Sequence, residues 1–372
     1  MVQVSNWLAN RTSLFDSSGI REVFNLAKEL KDPINFSIGQ VDYPLPEPVK
    51  DSLIQSIERG QTNYTVTQGI APLRERLKKQ VQEQYEDPHR DLLITSGTSG
   101  GLVLSMMALI DPGDEVIIFD PWFVMYESLP QLCGGVPVKI NIYPDFRLDI
   151  QKVRDAITPR TKMIITNCPA NPTGISFNRE EIQQLSELAA EQDICLISDE
   201  IYSKFSYDKE HVSPVEFNPE TTVVDGFSKS HAMTGLRLGF AHGPAPIIAE
   251  MIKLQQLTFV CAPNPVQWAG VTAIDTPIDH HVDAFRKKRD YLADELSKYY
   301  DFVKPDGSFY FFPKLPNGVS GREFLTRAIE HNMLLIPGNV FSDQDTHFRI
   351  AYAVSESKLQ QGVDVLKKIA SS

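Results

Sequence analysis

The 372 residues carry 48 acidic against 36 basic side chains, a formal charge of -12. That balance argues against a nucleic-acid backbone or an anionic membrane as main partner, and leaves room for a local basic pocket. With 42% hydrophobic and 23% charged residues the composition is ordinary for a globular chain, and the length predicts two domains with a large core.

The opening segment MVQVSNWLANRTSLFD has no basic start followed by an apolar stretch. It does not read as a secretory leader, so a cytoplasmic protein is expected. Leu73, Leu77 and Val81 share one stripe and predict a helix from Ala71 to Tyr85. Gly97-Thr98-Ser99-Gly100 reads as a turn before an apolar helix starting near Leu102. The run from Gly101 to Ile110 contains Ser105 and is about half the length that spans a bilayer.

Val116-Ile117-Ile118-Phe119, Met163-Ile164-Ile165-Thr166, Ile194-Cys195-Leu196-Ile197 and Thr222-Val223-Val224 are unbroken apolar runs, the pattern of fully buried strands. Between the second and third, Ile182, Leu185, Leu188 and Ala189 recur at helical spacing from Arg179 to Gln192. Asn178 and Glu181 are placed to form its capping box. Strands alternating with helices predict an α/β fold with a mostly parallel sheet covered on both faces. Cys133, Cys168, Cys195 and Cys261 form no C-x-x-C pair and are expected to be buried reduced thiols. His280-His281 lacks i, i+4 spacing and a second cluster, so no metal is expected there. His231 is expected to pack or hydrogen-bond locally.

In parallel sheets ligands collect at the carboxyl ends of the strands. Three of the predicted strands end in polar clusters. One is Asn167-Cys168-Pro169-Ala170-Asn171-Pro172-Thr173-Gly174, and another is Asp199-Glu200-Ile201-Tyr202. The third is Gly226-Phe227-Ser228-Lys229 followed by Thr234-Gly235-Leu236-Arg237-Leu238-Gly239. Taken singly these are ordinary: a proline-rich turn, a helix-capping carboxylate, a surface lysine.

Their joint order resembles the fold-type I pyridoxal-phosphate enzymes, specifically the class I/II aminotransferases related to aspartate aminotransferase. The likeness begins at Ser37-Ile38-Gly39-Gln40 and runs through Tyr64, Gly69, Gly97-Thr98-Ser99-Gly100 and Asp111-Pro112-Gly113-Asp114-Glu115-Val116. After the three clusters it continues through Pro305-Asp306-Gly307-Ser308-Phe309-Tyr310, Pro337-Gly338-Asn339-Val340-Phe341 and Arg349-Ile350. The resemblance implies a three-layer, mostly parallel sheet with a smaller α+β domain. Residues 46–279 would form the large cofactor domain, and residues 1–45 and 280–372 the small one. It also implies pyridoxal 5'-phosphate and a homodimer with shared active sites. The reaction would be ping-pong transfer of an amino group between an L-amino acid and a 2-oxo acid.

Each implied role suits its side chain. Lys229 would bond the cofactor aldehyde and act as general base once freed. Ser228 and Arg237 would hold the phosphate, facing Thr98 and Ser99 at a helix start, with Gly97 allowing close backbone approach. Tyr64 would reach that phosphate from a neighbouring subunit. Asp199 would pair with the pyridine nitrogen and keep the ring an electron sink. Tyr202 and Asn171 would bond the phenolic oxygen, and Phe123 would stack on the ring. Arg349, with the Gly39 backbone and Asn171, would take the substrate α-carboxylate.

Ser99 stands where some aspartate-preferring relatives carry lysine, which weakens a dicarboxylate-first reading. Phe123 and the segment Ser18-Gly19-Ile20-Arg21-Glu22-Val23-Phe24 lean toward broad or aromatic specificity. Ser342 and Ala351 depart from the common glycine and serine beside Arg349. A carbon–sulfur lyase would use the same cofactor residues, releasing pyruvate and ammonia from a cysteine conjugate. A regulator fused to a DNA-binding module is the non-enzymatic alternative; it is disfavoured by the acidic balance and the short segment before Gly39.

Overall fold

The computed structural model describes residues 7–14, 19, 23 and 30–370. Of the segment from Ser18 to Phe24, only Gly19 and Val23 are therefore described.

After the short strand β1 (Ile34–Asn35), seven strands among the described residues build the main sheet. They are β2 (Arg90–Thr95), β3 (Glu115–Asp120), β4 (Val136–Asn141), β5 (Thr161–Asn167), β6 (Cys195–Asp199), β7 (Thr222–Gly226) and β8 (Gly239–Pro244). Their spatial order is β2-β8-β7-β6-β5-β3-β4. All neighbours from β7 to β4 pair in parallel, while β8 runs against both β2 and β7. The unbroken apolar runs follow from burial on both faces. Val116, Ile118, Met163 and Ile165 pack into one cluster, and Ile117, Phe119, Ile164 and Leu196 into another.

Helices fill the crossovers, as the periodicity predicts. The helix Ala71–Gln84 buries Leu73, Leu77 and Val81. The helix Arg179–Glu191 carries the complete Asn178/Glu181 capping box. Two boundaries differ from expectation. Ile194 precedes β6, and the helix expected near Leu102 starts at Gly97. Thr98, Ser99 and Gly100 thus belong to its first turn rather than to a loop before it. Among the described residues no helix is long and apolar enough to cross a membrane.

Strands β9 (Tyr310–Phe311), β10 (Met333–Leu334), β11 (Ile336–Pro337) and β12 (Phe348–Ala351) complete the fold. β1 pairs in parallel with β10, and β11-β12-β9 form an antiparallel sheet. One cluster joins Ile34 and Phe36 to Phe285, Leu292, Phe324, Phe348, Leu359 and Val363. Gly362 is required in it: a Cβ there would lie 2.2 Å from the Phe36 ring. The early and late parts of the chain thus share a core.

The four cysteines are free thiols, but only Cys168 is fully buried; Cys133, Cys195 and Cys261 are half-buried. Their positions on a helix cap, the first residue of a strand and a loop leave one side open. His231 meets its neighbour as expected, with Nδ1 2.9 Å from the Ser230 hydroxyl, and also reaches the distant Thr276 carbonyl, 3.1 Å from Nε2.

Candidate active site

The carboxyl ends of β5, β6 and β7 open onto a cavity of ≈ 240 Å³. Strand β6 delivers Asp199 into it, buried at 3% exposure. The Tyr126 hydroxyl donates to Asp199 Oδ2 at 2.7 Å, and the Ile201 amide donates to Oδ1 at 3.2 Å. Burial raises this carboxyl to about 6; the Tyr126 and Ile201 hydrogen bonds pull against that rise.

Strand β7 leads into Ser228 and Lys229, which line the same cavity. The Lys229 Nζ donates to the Gly39 carbonyl at 2.6 Å and lies 5.9 Å from the Tyr202 ring centroid. Burial lowers this amine to about 8, helped by the Arg349 and Arg237 cations. A neutral amine is therefore accessible near physiological pH, as a nucleophile or base requires.

Thr98 and Ser99 line the cavity from the first turn of the helix Gly97–Leu109, where backbone N–H groups point outward. Arg237 lies against that turn, with Nη1 donating to the Thr234 carbonyl at 2.9 Å. Gly97 does not line the cavity but lies under the Arg237 guanidinium: a Cβ there would meet Arg237 Nη2 at 2.5 Å. Thr98 Oγ1 is buried with no hydrogen-bond partner among the described residues and lies over Gly226, where a Cβ would meet it at 3.1 Å.

At the other end, Arg349 is buried on β12. Nη1 donates to Asn171 Oδ1 at 2.9 Å and Nη2 to the Ser37 carbonyl at 2.6 Å. The Tyr310 and Phe341 rings each lie 4.7 Å from its Cζ. Each Nη spends one of its two hydrogens on these bonds, so the fork keeps a donor on each for a carboxylate. Gly39, Phe123, Asn171 and Tyr202 complete the expected lining. The Tyr202 and Tyr310 hydroxyls are 2.8 Å apart.

Tyr64 stands apart. It is 83% exposed and outside this cavity, on a segment whose Asn63 and Thr67 carbonyls accept from Asn264 and Gln255.

Six lining residues had no role assigned from the sequence: Leu102, Ile201, Thr234, Asn167, Tyr310 and Tyr126. Asn167 accepts from the Asn171 amide at 2.8 Å and donates to the Asp199 carbonyl at 2.9 Å, which joins two of the strand-end clusters. Tyr310 lay inside a matching segment without a role. Tyr126, three residues beyond Phe123 on the first helical turn, carried no local signal at all.

The donor set fits pyridoxal phosphate. One end offers Ser99, Ser228, Arg237 and the helix turn carrying Thr98 to a phosphate. An amine and a carboxylate lie between that end and the arginine fork.

The description "aminotransferase class I and II" matches residues 31–366. The chain belongs to this family. It is 34% identical to a probable aspartate aminotransferase of Methanocaldococcus jannaschii, covering 97% of this chain and 99% of that one. It is 30% identical to aromatic-amino-acid aminotransferase 2 of Thermococcus litoralis, over 97% and 98% of the two chains. Its fold overlays the aspartate aminotransferase of Thermus thermophilus solved with maleate at a TM-score of 0.92. Identity there is 32%, with 97% of this chain and 99% of that one covered. This aminotransferase thus moves an amino group between an amino acid and a 2-oxo acid, and its family is in general pyridoxal-phosphate dependent.

Behind the enzyme's β6 and β7 lies a second polar cavity holding Glu200 and Asp225. Burial would raise Glu200, but the adjacent His211 and the Ser213 hydroxyl outweigh it and hold it at about 2. Burial pushes Asp225 up to about 8, with the Glu200 charge adding to the rise. An acid raised on folding binds more protons folded than unfolded, so its contribution to stability falls as pH rises from 3.8 to about 8. Asp225→Asn should remove that loss. Its melting temperature relative to the parent is expected to climb across this interval and level off above it; a flat difference in thermal scans would contradict the assignment.

Proposed function

We infer that the ≈ 240 Å³ cavity binds pyridoxal phosphate and runs both halves of amino-group transfer at one site. The observation that carries this reading is the meeting of Lys229, Asp199, Arg237 and Arg349 in one cavity. Pyridoxal phosphate, when bound, supplies an aldehyde that condenses with amines and a ring that delocalises electrons released at the substrate Cα.

The chain's residues do the rest. Arg237, Ser228, Thr98 and Ser99 anchor the phosphate, with Gly97 keeping the backbone beneath Arg237 clear. Asp199 holds a proton on the ring nitrogen, and Tyr126 orients that carboxylate. Tyr202 and Asn171 bond the phenolic oxygen, and Phe123 covers the ring face. Arg349, held by Asn171 and Ser37 and flanked by two aromatic rings, receives the α-carboxylate beside the Gly39 backbone. Lys229 Nζ takes the proton from the substrate Cα and returns it on the other side of the transfer.

The working unit in this reading is a homodimer. The exposed apolar side chains Tyr64, Val66, Leu257 and Phe259 support a covered face, and Tyr64 would reach the neighbour's phosphate. Residues 46–279 form the cofactor unit, and residues 1–45 with 280–372 the second.

The substrate proposed is an L-amino acid with an apolar or aromatic side chain, with aspartate as the weaker donor. Among the described lining residues the cations are Lys229, Arg237 and Arg349, and each already has a task. Aromatic and apolar groups (Phe123, Tyr202, Tyr310, Leu102, Ile201) supply much of the remaining wall. Adding single amino acids to the pyridoxal-phosphate-loaded protein should convert its absorption band to that of the aminated cofactor, faster with phenylalanine or tyrosine than with aspartate. If no amino acid converts it, the reading fails; faster conversion by aspartate overturns the substrate part alone.

A further inference from the structure

The segment from Gly39 to Tyr43 grips Lys229 at both ends. Gly39 accepts from the amine, while the Tyr43 hydroxyl lies 3.0 Å from the Lys229 carbonyl and 2.9 Å from that of Ser230. These residues are 186 to 190 positions apart in the chain, so nothing local enforces the contact. A phenol has one proton to share between two carbonyls, and both lie on the lysine's own turn.

The segment is itself seated on the helix Asp279–Leu296. His281 stacks face to face on the Tyr43 ring, with centroids 3.6 Å apart and planes 5° from parallel. Phe285 meets the same ring at 6.1 Å, and Lys288 pairs with Asp42. Positions 281, 285 and 288 follow i, i+4, i+7 and so form one helix face. The histidine doublet therefore has a use unrelated to metal: His281 lies on that face, and His280 is exposed.

We propose that Tyr43 is a positioning residue for the reacting amine: its hydroxyl fixes the Lys229–Ser230 backbone, and His281 and Phe285 fix Tyr43. The helix face, the strap and the lysine turn form one rigid train from the late part of the chain to the reaction centre. A lysine side chain has four carbons of slack, so its reach is set by where its backbone is held. A shift of about 1 Å there costs on the order of 10²-fold in rate when the amine must meet a substrate Cα. The titratable and charged groups around Nζ are Arg349, Arg237, Asp199 and Tyr202. Those around the Tyr43 ring are Asp42, His281, Lys288 and Tyr207.

This inference rests on Lys229 as the reacting amine, and the test separates the two. Tyr43→Phe removes the hydroxyl and keeps the stack. The full-length protein without cofactor is acylated with acetic anhydride across pH, and modification of Lys229 is followed by peptide mass spectrometry. In Tyr43→Phe the midpoint should rise by about 0.5 pH or more, as the amine relaxes toward water. In the loaded enzyme kcat should fall about tenfold while KM moves less than about twofold. Asp42→Asn removes the Lys288 pairing but keeps the hydroxyl and the His281 and Phe285 contacts that fix it, and should leave both readouts near the parent. A Tyr43→Phe protein matching the parent overturns the proposal, as does an Asp42→Asn protein reproducing both changes. A parent midpoint at an ordinary lysine value overturns the role of Lys229 itself.

Discussion

Lys229→Ala is expected to abolish measurable turnover, lowering the rate by about 10⁴-fold, the range for losing a positioned acid–base group that is also the site of covalent attachment. The half-reaction should be followed in single turnover, by absorbance, on protein loaded with pyridoxal phosphate. Small primary amines in the buffer should restore part of the rate, because they replace a proton carrier without restoring its position. The pH dependence provides an independent check. Burial and the two arginines lower the amine to about 8, so its neutral fraction grows as pH rises through that value. In the cofactor-free protein, condensation of Lys229 with added pyridoxal phosphate should therefore gain rate across that interval and level off above it. Full single-turnover rate in the Ala variant would exclude Lys229 as the base.

Asp199→Asn should have the second-largest effect. Replacing one member of a buried charged pair costs about 3–5 kcal/mol, on the order of 10³-fold in rate if all of it falls on the transition state. An amide is the same shape but cannot balance a protonated ring nitrogen. Stability of the cofactor-free protein should move the other way. Asp199 is raised to about 6 by burial, so its ionised form is disfavoured in the fold and the wild type loses stability as pH rises from 3.8 to about 6. At pH 7 the cofactor-free Asn variant should therefore melt no lower than the parent, while the loaded variant melts lower than the loaded parent. Calorimetry on both forms reads the reversal. An Asn variant that turns over at the parental rate would remove Asp199 from the mechanism.

The elements legible in the sequence were those whose signal is local. Burial on both faces makes β3, β5, β6 and β7 unbroken apolar runs, and the Asn178/Glu181 box marks a helix start within four residues. The helix at Gly97 was placed late because glycine, threonine and serine have modest helix propensity, and the helix start is stabilised by what it faces. The role proposed for Tyr64 came only through family likeness, since within one chain it is an exposed tyrosine.

The side chains that hold the reacting groups were hidden for a common reason. Tyr126 bonds Asp199 across 73 positions, and Arg349 bonds Asn171 across 178. Periodicity and capping act over a turn or two, so they carry no record of which loops meet. Those pairings depend on strand order, on the path of each crossover and on β1 joining β10.

The sequence alone determined the strand and helix types, the mostly parallel sheet and the ordered set of polar clusters at strand ends. Its net charge of -12 said nothing of a cavity lined by Arg237, Arg349 and the Lys229 amine. Only the tertiary structure brought Gly39, Asn171, Lys229 and Arg349 together and lowered Lys229 to about 8. Secondary structure follows from neighbours in the chain; the state of a buried amine follows from neighbours in space.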